Sequence, residues 1–239
     1  MAAGFLTRIP AAPAVPEEAR LADAAWAFPL VGAGIGAVAA FAVAVAQLLG
    51  LGDWPGALLA VLAGLVLTGA LHEDGLADAV DGLCGGVDRE TKLAIMHDSR
   101  LGAFGGLALV LSVGLRAAAL VQLGEAFHAG LALIAAHAGS RALLPVAMRL
   151  LAPARADGIG AAAGRPRPAV ALIAVVSGAA IAMSALGPAR GTLAIGLAAL
   201  TVAAVAVEAR RQIGGYTGDV LGAFQQVAEI AILLVATPR

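Results

Sequence analysis

The chain has 239 residues, 61% of them hydrophobic and 13% charged, with a net charge of −1; soluble domains average about 45–50% and 25%. With a mean hydropathy of +0.93, this excludes an ordinary soluble enzyme and a disordered chain, and the charge gives no reason to expect nucleic-acid binding. The single cysteine, Cys84, excludes a disulfide framework and a multi-cysteine metal site. What remains is an all-α, polytopic integral membrane protein, read as one membrane-embedded domain over residues 1–239.

Residues 1–27 form the first element. Pro10, Pro13 and Pro16 interrupt its start, so it lacks the continuous apolar run of a signal peptide. Glu17, Glu18, Arg20 and Asp23 then lead to Trp26, which reads as a cytoplasmic or interfacial segment. A crossing needs about 20 apolar residues for about 30 Å of hydrocarbon. Seven stretches qualify in chain order: 28–50, 54–71, 101–124, 126–150, 168–187, 191–207 and 220–237. Six or eight spans are also compatible with such soft boundaries. With seven, the N-terminal side receives eleven Lys and Arg residues and the opposite side two. Positive charge stays in the cytoplasm, so the N-terminus and the long polar connections are expected there, in the inner membrane of a bacterium.

The chemistry-bearing residues are concentrated. Seven of the 16 acidic residues lie between positions 73 and 98, within a connection at 72–100 that reads LHEDGLADAVDGLCGG and then VDRETKLAIMHDSRLGAFGG. If the helix continues through this stretch, Asp74, Asp78 and Asp81 fall within an arc of about 60°. Three carboxylates on one stripe repel unless a cation compensates, and Mg²⁺ takes one or two carboxylates plus substrate phosphates. A solvated acidic helix end is the plainer alternative. His72 adjoins the stripe and can orient a carboxylate, act as a base near neutral pH, or serve structure alone. Arg89 and Arg100 are phosphate candidates, with Ser99 beside them. Asp98 can bind metal, orient a hydroxyl or cap the third span.

GGYTGD, residues 214–219, is a glycine-rich turn. Gly214, Gly215 and Thr217 can cradle an anion, and Asp219 can cap the last span or take part in catalysis. Arg141 and Glu229 are ionisable groups inside spans and therefore functional candidates for substrate contact. Arg141 requires a carboxylate or phosphate partner, and Glu229 can pair with Arg116 or Arg141. His137 and His128 read as packed and neutral. The residues alone thus describe a cytoplasm-facing, metal-assisted phosphoryl- or prenyl-type transfer at the membrane surface.

These motifs resemble the cobalamin synthase family, the adenosylcobinamide-GDP ribazoletransferases. The matching elements are FLTRIP (5–10), FPLVGAGIGA (28–37), the H-x-D-G-L-A-D-x-x-D-G run from His72 to Gly82, the D-S-R-L-G run from Asp98 to Gly102, Ser140–Arg141, and GGYTGDVLGA (214–223) with Glu229. They occur in the family's order over nearly the whole chain. Glu73 falls at a position the family varies, and His97 stands where the family usually has Lys or Arg. The resemblance implies that α-ribazole or its 5′-phosphate attacks adenosylcobinamide-GDP, releasing GMP, with Mg²⁺ as cofactor. It implies Asp74, Asp78 and Asp81 at the metal, Arg89, Arg100 and Arg141 on phosphates, and His72 or Asp98 accepting the hydroxyl proton. Besides both substrates the expected partners are the bilayer and, compatibly, further copies of the chain.

Three other readings compete. A CDP-alcohol phosphotransferase would need an Ala-Arg pair after DG, where Asp78 stands here. A prenyltransferase of the UbiA type would need a second Asp-rich motif, for which TGD is a poor copy. A cation transporter would place its acids at the midplane, whereas these lie mostly at one surface.

Overall fold

The computed structural model describes residues 1–10, 20–98 and 100–238, apart from the side chain at position 159; Ser99 therefore lies outside the described residues. Two short helices, α1 (Ala2–Leu6) and α2 (Leu21–Ala24), precede the bundle. The longer elements are α3 (Phe28–Leu48), α4 (Asp53–Thr68), α5 (Leu71–Gly85), α6 (Arg89–His97), α7 (Ala103–Leu123) and α8 (Ala126–Leu150). After the short α9 (Gly158–Ala162) come α10 (Pro168–Leu186), α11 (Pro188–Ile213) and α12 (Gly218–Ala236). Among the described residues there is no β-strand, only one isolated bridge between Pro153 and Tyr216.

Six helices are long and apolar enough to cross a membrane by themselves. A seventh arises only if α4 and α5, which qualify together but not singly, form one bent span; α4 alone, with 16 residues, is short for the task. It ends at Gly69, and both Gly69 (φ +66) and Ala70 (φ +58) are left-handed. A β-carbon is tolerated poorly in that region, so the alanine is held there by its surroundings, and the chain swings 91° into α5. The second span therefore does not continue into the acidic stretch, as the sequence suggested. A new helix, α5, starts there, with four acids in its 15 residues. α11 is longer than its apolar core at 191–207. Its 26 residues reach about 39 Å and carry Arg210 and Arg211 beyond the apolar zone.

Buried α8 is the axis around which α3, α10 and α12 pack. Lipid tails give apolar helices no hydrophobic reason to associate, so small residues that let backbones approach do the work. A β-carbon on Gly36 of α3 would lie 2.6 Å from the Leu133 carbonyl oxygen of α8, and one on Gly32 would overlap the His137 carbonyl. Proline at the first helical turn of α3, α10 and α11 starts those helices without sacrificing a bond.

Candidate active site

α5 crosses the first turns of α12 at a pair of glycines. A β-carbon on Gly75 would lie 3.0 Å from Asp219 Cα, and one on Gly222 would lie 2.9 Å from the His72 carbonyl oxygen. This approach brings Asp74 and Asp219, from two separated motifs, to the wall of one cavity of about 140 Å³. His72 shares that wall; Phe5, Phe28, Leu144 and Met148 supply apolar surface opposite. Every lining element meets at the same end of the bundle.

Asp74 is exposed and Asp78 half-buried. The Asp78 carboxyl is pushed up to about 6, first by burial and then by the charges of Asp74, Asp219 and Asp81. Asp78 thus feels carboxylates from both helices, which is the repulsion a cation would relieve. No three His, Cys, Asp or Glu among the described residues converge tightly enough to chelate a metal unaided.

Asp81 has another task. Its Oδ2 accepts from the Gly102 amide at 2.7 Å and its Oδ1 from the Gly105 amide at 2.8 Å. Both oxygens close the open first turn of α7, so Asp81 does not face the cavity with Asp74 as the stripe argument expected. Nor does Asp98 cap that helix. Arg100 donates to Asp98 from Nη2 at 2.5 Å and from its backbone amide at 3.1 Å. This pairing holds the Asp98 carboxyl below the usual carboxylate range. The Arg100 side chain is 88% exposed, and neither residue lines the cavity. Asp98 therefore does not stand where it could take a proton in the cavity. We expect Asp81→Ala, which strands two amides, to lower stability by about 1–3 kcal/mol, read from the thermal unfolding midpoint in detergent.

Arg89 is tied into the fold. It donates to the carbonyls of Ile213 (3.0 Å) and Ala154 (2.5 Å), latching α6 to the end of α11 and to the loop after α8. The GGYTGD turn is likewise occupied by backbone bonds. Gly214 is left-handed (φ +82) and ends α11, with its amide on the Arg210 carbonyl. A β-carbon on Gly215 would overlap the Ala152 carbonyl, and the Tyr216 amide donates to that same oxygen at 3.0 Å. The Gly214 and Tyr216 amides are thus committed to the fold and not presented to an anion. Thr217 caps α12, accepting from the Val220 amide at 3.2 Å and donating to Asp219 Oδ2 at 3.1 Å. The turn positions Asp219.

Below the cavity lies a network the sequence showed only in part. Glu229 Oε1 pairs with Arg116 (3.2 Å), and its Oε2 with His137 (3.1 Å) and Arg141 (3.8 Å). Glu73 joins through Arg116 at 2.9 Å and Gln226 at 3.0 Å. Gln225 donates to Glu229 at 2.5 Å and to Ser140 at 3.1 Å, and Ser112 donates to Gln226 at 2.7 Å. Arg141 and Glu229 are therefore partners of each other, enclosed at 1% and 2% exposure, and not cavity-wall contacts for a phosphate. Gln225 and Gln226 are not among the residues the sequence singles out; two adjacent glutamines in mid-span are the available signal. His72 joins network and cavity, with Nδ1 3.5 Å from Arg141 Nη2. Guanidinium has no acceptor, so Nδ1 stays unprotonated and the proton sits on Nε2. In that arrangement His72 presents a donor toward the cavity it lines.

Comparison with known proteins gives the family. The cobalamin-5-phosphate synthase family profile matches residues 1–237. The chain is 46% identical to an adenosylcobinamide-GDP ribazoletransferase of Bradyrhizobium diazoefficiens, covering 99% of this chain and 91% of the relative. It is 45% identical to proteins of the same name from Mesorhizobium japonicum (98% and 90%) and Azorhizobium caulinodans (96% and 91%). No solved structure matches. With its whole length matched and the motif residues gathered at one end of the bundle, the chain belongs to the cobalamin-5-phosphate synthase family.

Proposed function

We propose that this protein transfers α-ribazole, or its 5′-phosphate, onto adenosylcobinamide-GDP. The ribose 3′ hydroxyl, free in both acceptors, attacks the cobinamide-linked phosphorus, the bond to GMP breaks, and adenosylcobalamin or, with the 5′-phosphate carried through unchanged, its 5′-phosphate forms. The observation that carries this reading is the convergence of Asp74 and Asp219 on one cavity in a chain matched to the family end to end. Phosphoryl transfer needs positioning and charge neutralisation more than covalent chemistry, and carboxylates at the edge of an apolar cavity suit that need.

Mg²⁺ fits the donor set, since hard carboxylate oxygens of Asp74 and Asp219 line one cavity and Asp78 nearby is raised first by burial and then by their charge. Asp74 and Asp78 would hold it, with substrate phosphate completing the shell; Asp81, with both oxygens engaged, would not. Bound there, Mg²⁺ would neutralise the diphosphate. The proton of the attacking hydroxyl goes to a carboxylate at the cavity, and Asp219, held by Thr217, is the residue assigned to it. The site faces the cytoplasm of a bacterial cell, in line with the eleven-to-two distribution of Lys and Arg.

The test is purified protein with adenosylcobinamide-GDP, α-ribazole and Mg²⁺, scored for GMP and a new corrinoid; absence of both would refute the assignment. Binding at a carboxyl titrating near 6 displaces its proton. Mg²⁺ added to metal-free protein at pH 6 should therefore release protons, and at pH 8 almost none. Mg²⁺ affinity should fall as pH drops through 6, and Asp78→Asn should abolish the release.

A further inference from the structure

We infer that the cavity between α5, α8 and α12 is the subsite for the aromatic base of the acceptor nucleoside. This rests on the proposed function and names which of the two substrates occupies which place. The walls are apolar on one side: Phe5, Phe28, Leu71, Leu144, Met148 and Ala163. Phe5 and Phe28 stack at 6.2 Å with a 13° tilt, giving one end a planar, aromatic lining. The other side carries three polar groups, His72, Asp74 and Asp219.

Size decides between the substrates. The cavity, at about 140 Å³, falls short of the roughly 300–1,000 Å³ that encloses a whole ligand. It matches the roughly 150 Å³ of an apolar cavity that takes up a benzene ring. A corrin macrocycle cannot enter, and guanine, polar on several edges, would press polar atoms against the six apolar side chains of the opposite wall. α-Ribazole is the nucleoside of 5,6-dimethylbenzimidazole, whose flat, methylated ring system is almost wholly apolar with one free ring-nitrogen acceptor. His72 supplies the matching donor. It is 4% exposed, its Nδ1 faces Arg141, and so Nε2–H is the proton left for a ligand. A base seated there leaves its ribose toward Asp74 and Asp219, where the attacking 3′ hydroxyl is needed. The nucleotide-linked corrinoid then binds outside the cavity, over the cytoplasmic ends of the helices. Arg141 and Glu229 act at one remove, as positioning residues that set the His72 tautomer.

The test is steady-state GMP release with each substrate varied in turn. Ala163→Phe fills the cavity from the loop after α9. It should raise KM for α-ribazole by about 10- to 200-fold, the range set by apolar pocket contacts, with KM for adenosylcobinamide-GDP unchanged. Equal rises in both, or a rise only for adenosylcobinamide-GDP, would overturn the subsite. Wild-type protein gives an arm independent of any variant's folding. Free 5,6-dimethylbenzimidazole should inhibit competitively against α-ribazole and not against adenosylcobinamide-GDP; absent inhibition, or the reverse pattern, rejects the inference. Ligand-observed saturation-transfer NMR with the free base reads the cavity without turnover. A signal in wild type that Ala163→Phe removes supports the subsite even where no GMP forms, the outcome that would refute the transferase reading alone.

Discussion

Replacing Glu229 by leucine should lower stability by about 3–5 kcal/mol, the cost of leaving one partner of a buried ion pair uncompensated. Arg116 would keep Glu73 at 2.9 Å. Arg141, however, would lose its nearest carboxylate while remaining 1% exposed. Its other neighbours, the His137 carbonyl at 3.2 Å and the two histidine rings, carry no countercharge when neutral. Hence the double variant Glu229→Leu, Arg141→Met, which leaves Arg116–Glu73 as a balanced pair, should recover more than half the loss. Thermal unfolding in detergent for both single variants and the double variant measures this coupling. Additive losses would show that the four charges do not act as one balanced unit. Two polar atoms facing the small void inside the network, Arg116 Nη2 and Glu73 Oε2, lack a partner among the described residues; this adds to the sensitivity of the site to removal of any member.

Asp74→Ala should have the opposite profile. Asp74 is exposed at the cavity wall, and its side chain accepts no hydrogen bond among the described residues. Its removal should leave the unfolding midpoint within the roughly 0.5 kcal/mol typical of surface changes. GMP release should fall by about 10²–10³-fold or more, as when a preorganised electrostatic group is taken from a transition state. Asp74→Asn should be equally impaired, because the amide keeps shape but not charge. Wild-type-like turnover in either variant would remove Asp74 from the metal set. Together with Asp81→Ala, whose effect falls on stability, the pair separates two aspartates that share one helical stripe in the sequence.

The comparison of Asp74 and Asp81 shows where sequence reasoning stops. Both sit on α5, at offsets that place them on similar faces. Which one is free for ligand depends on what packs against each, and the start of α7 meets Asp81 with two open amides. Nothing in the local pattern identifies α7 as that neighbour. Likewise, Arg89 and Arg100 look alike as cations in a loop, yet one grips two carbonyls and the other pairs with an adjacent aspartate. The glycines of GGYTGD read equally well as an anion cradle or as a tight crossing. The overlap a β-carbon at 215 would make with Ala152 decides for the crossing.

The membrane-spanning class, the approximate number of crossings and the concentration of acids at one end were determined by the sequence alone. They follow from one-dimensional quantities: apolar run length against bilayer thickness, and the free energy of placing charge in hydrocarbon. The family was also legible there, because its motifs are contiguous. Only the tertiary structure decided that the chain turns 91° after α4 and that Asp74 and Asp219, 145 positions apart in the sequence, line one cavity. The same holds for the burial of Glu73, Arg116, Arg141 and Glu229 as a balanced group. Those outcomes depend on which surfaces meet, and for residues far apart along the chain that is set by close packing of small side chains between helices, not by local pattern.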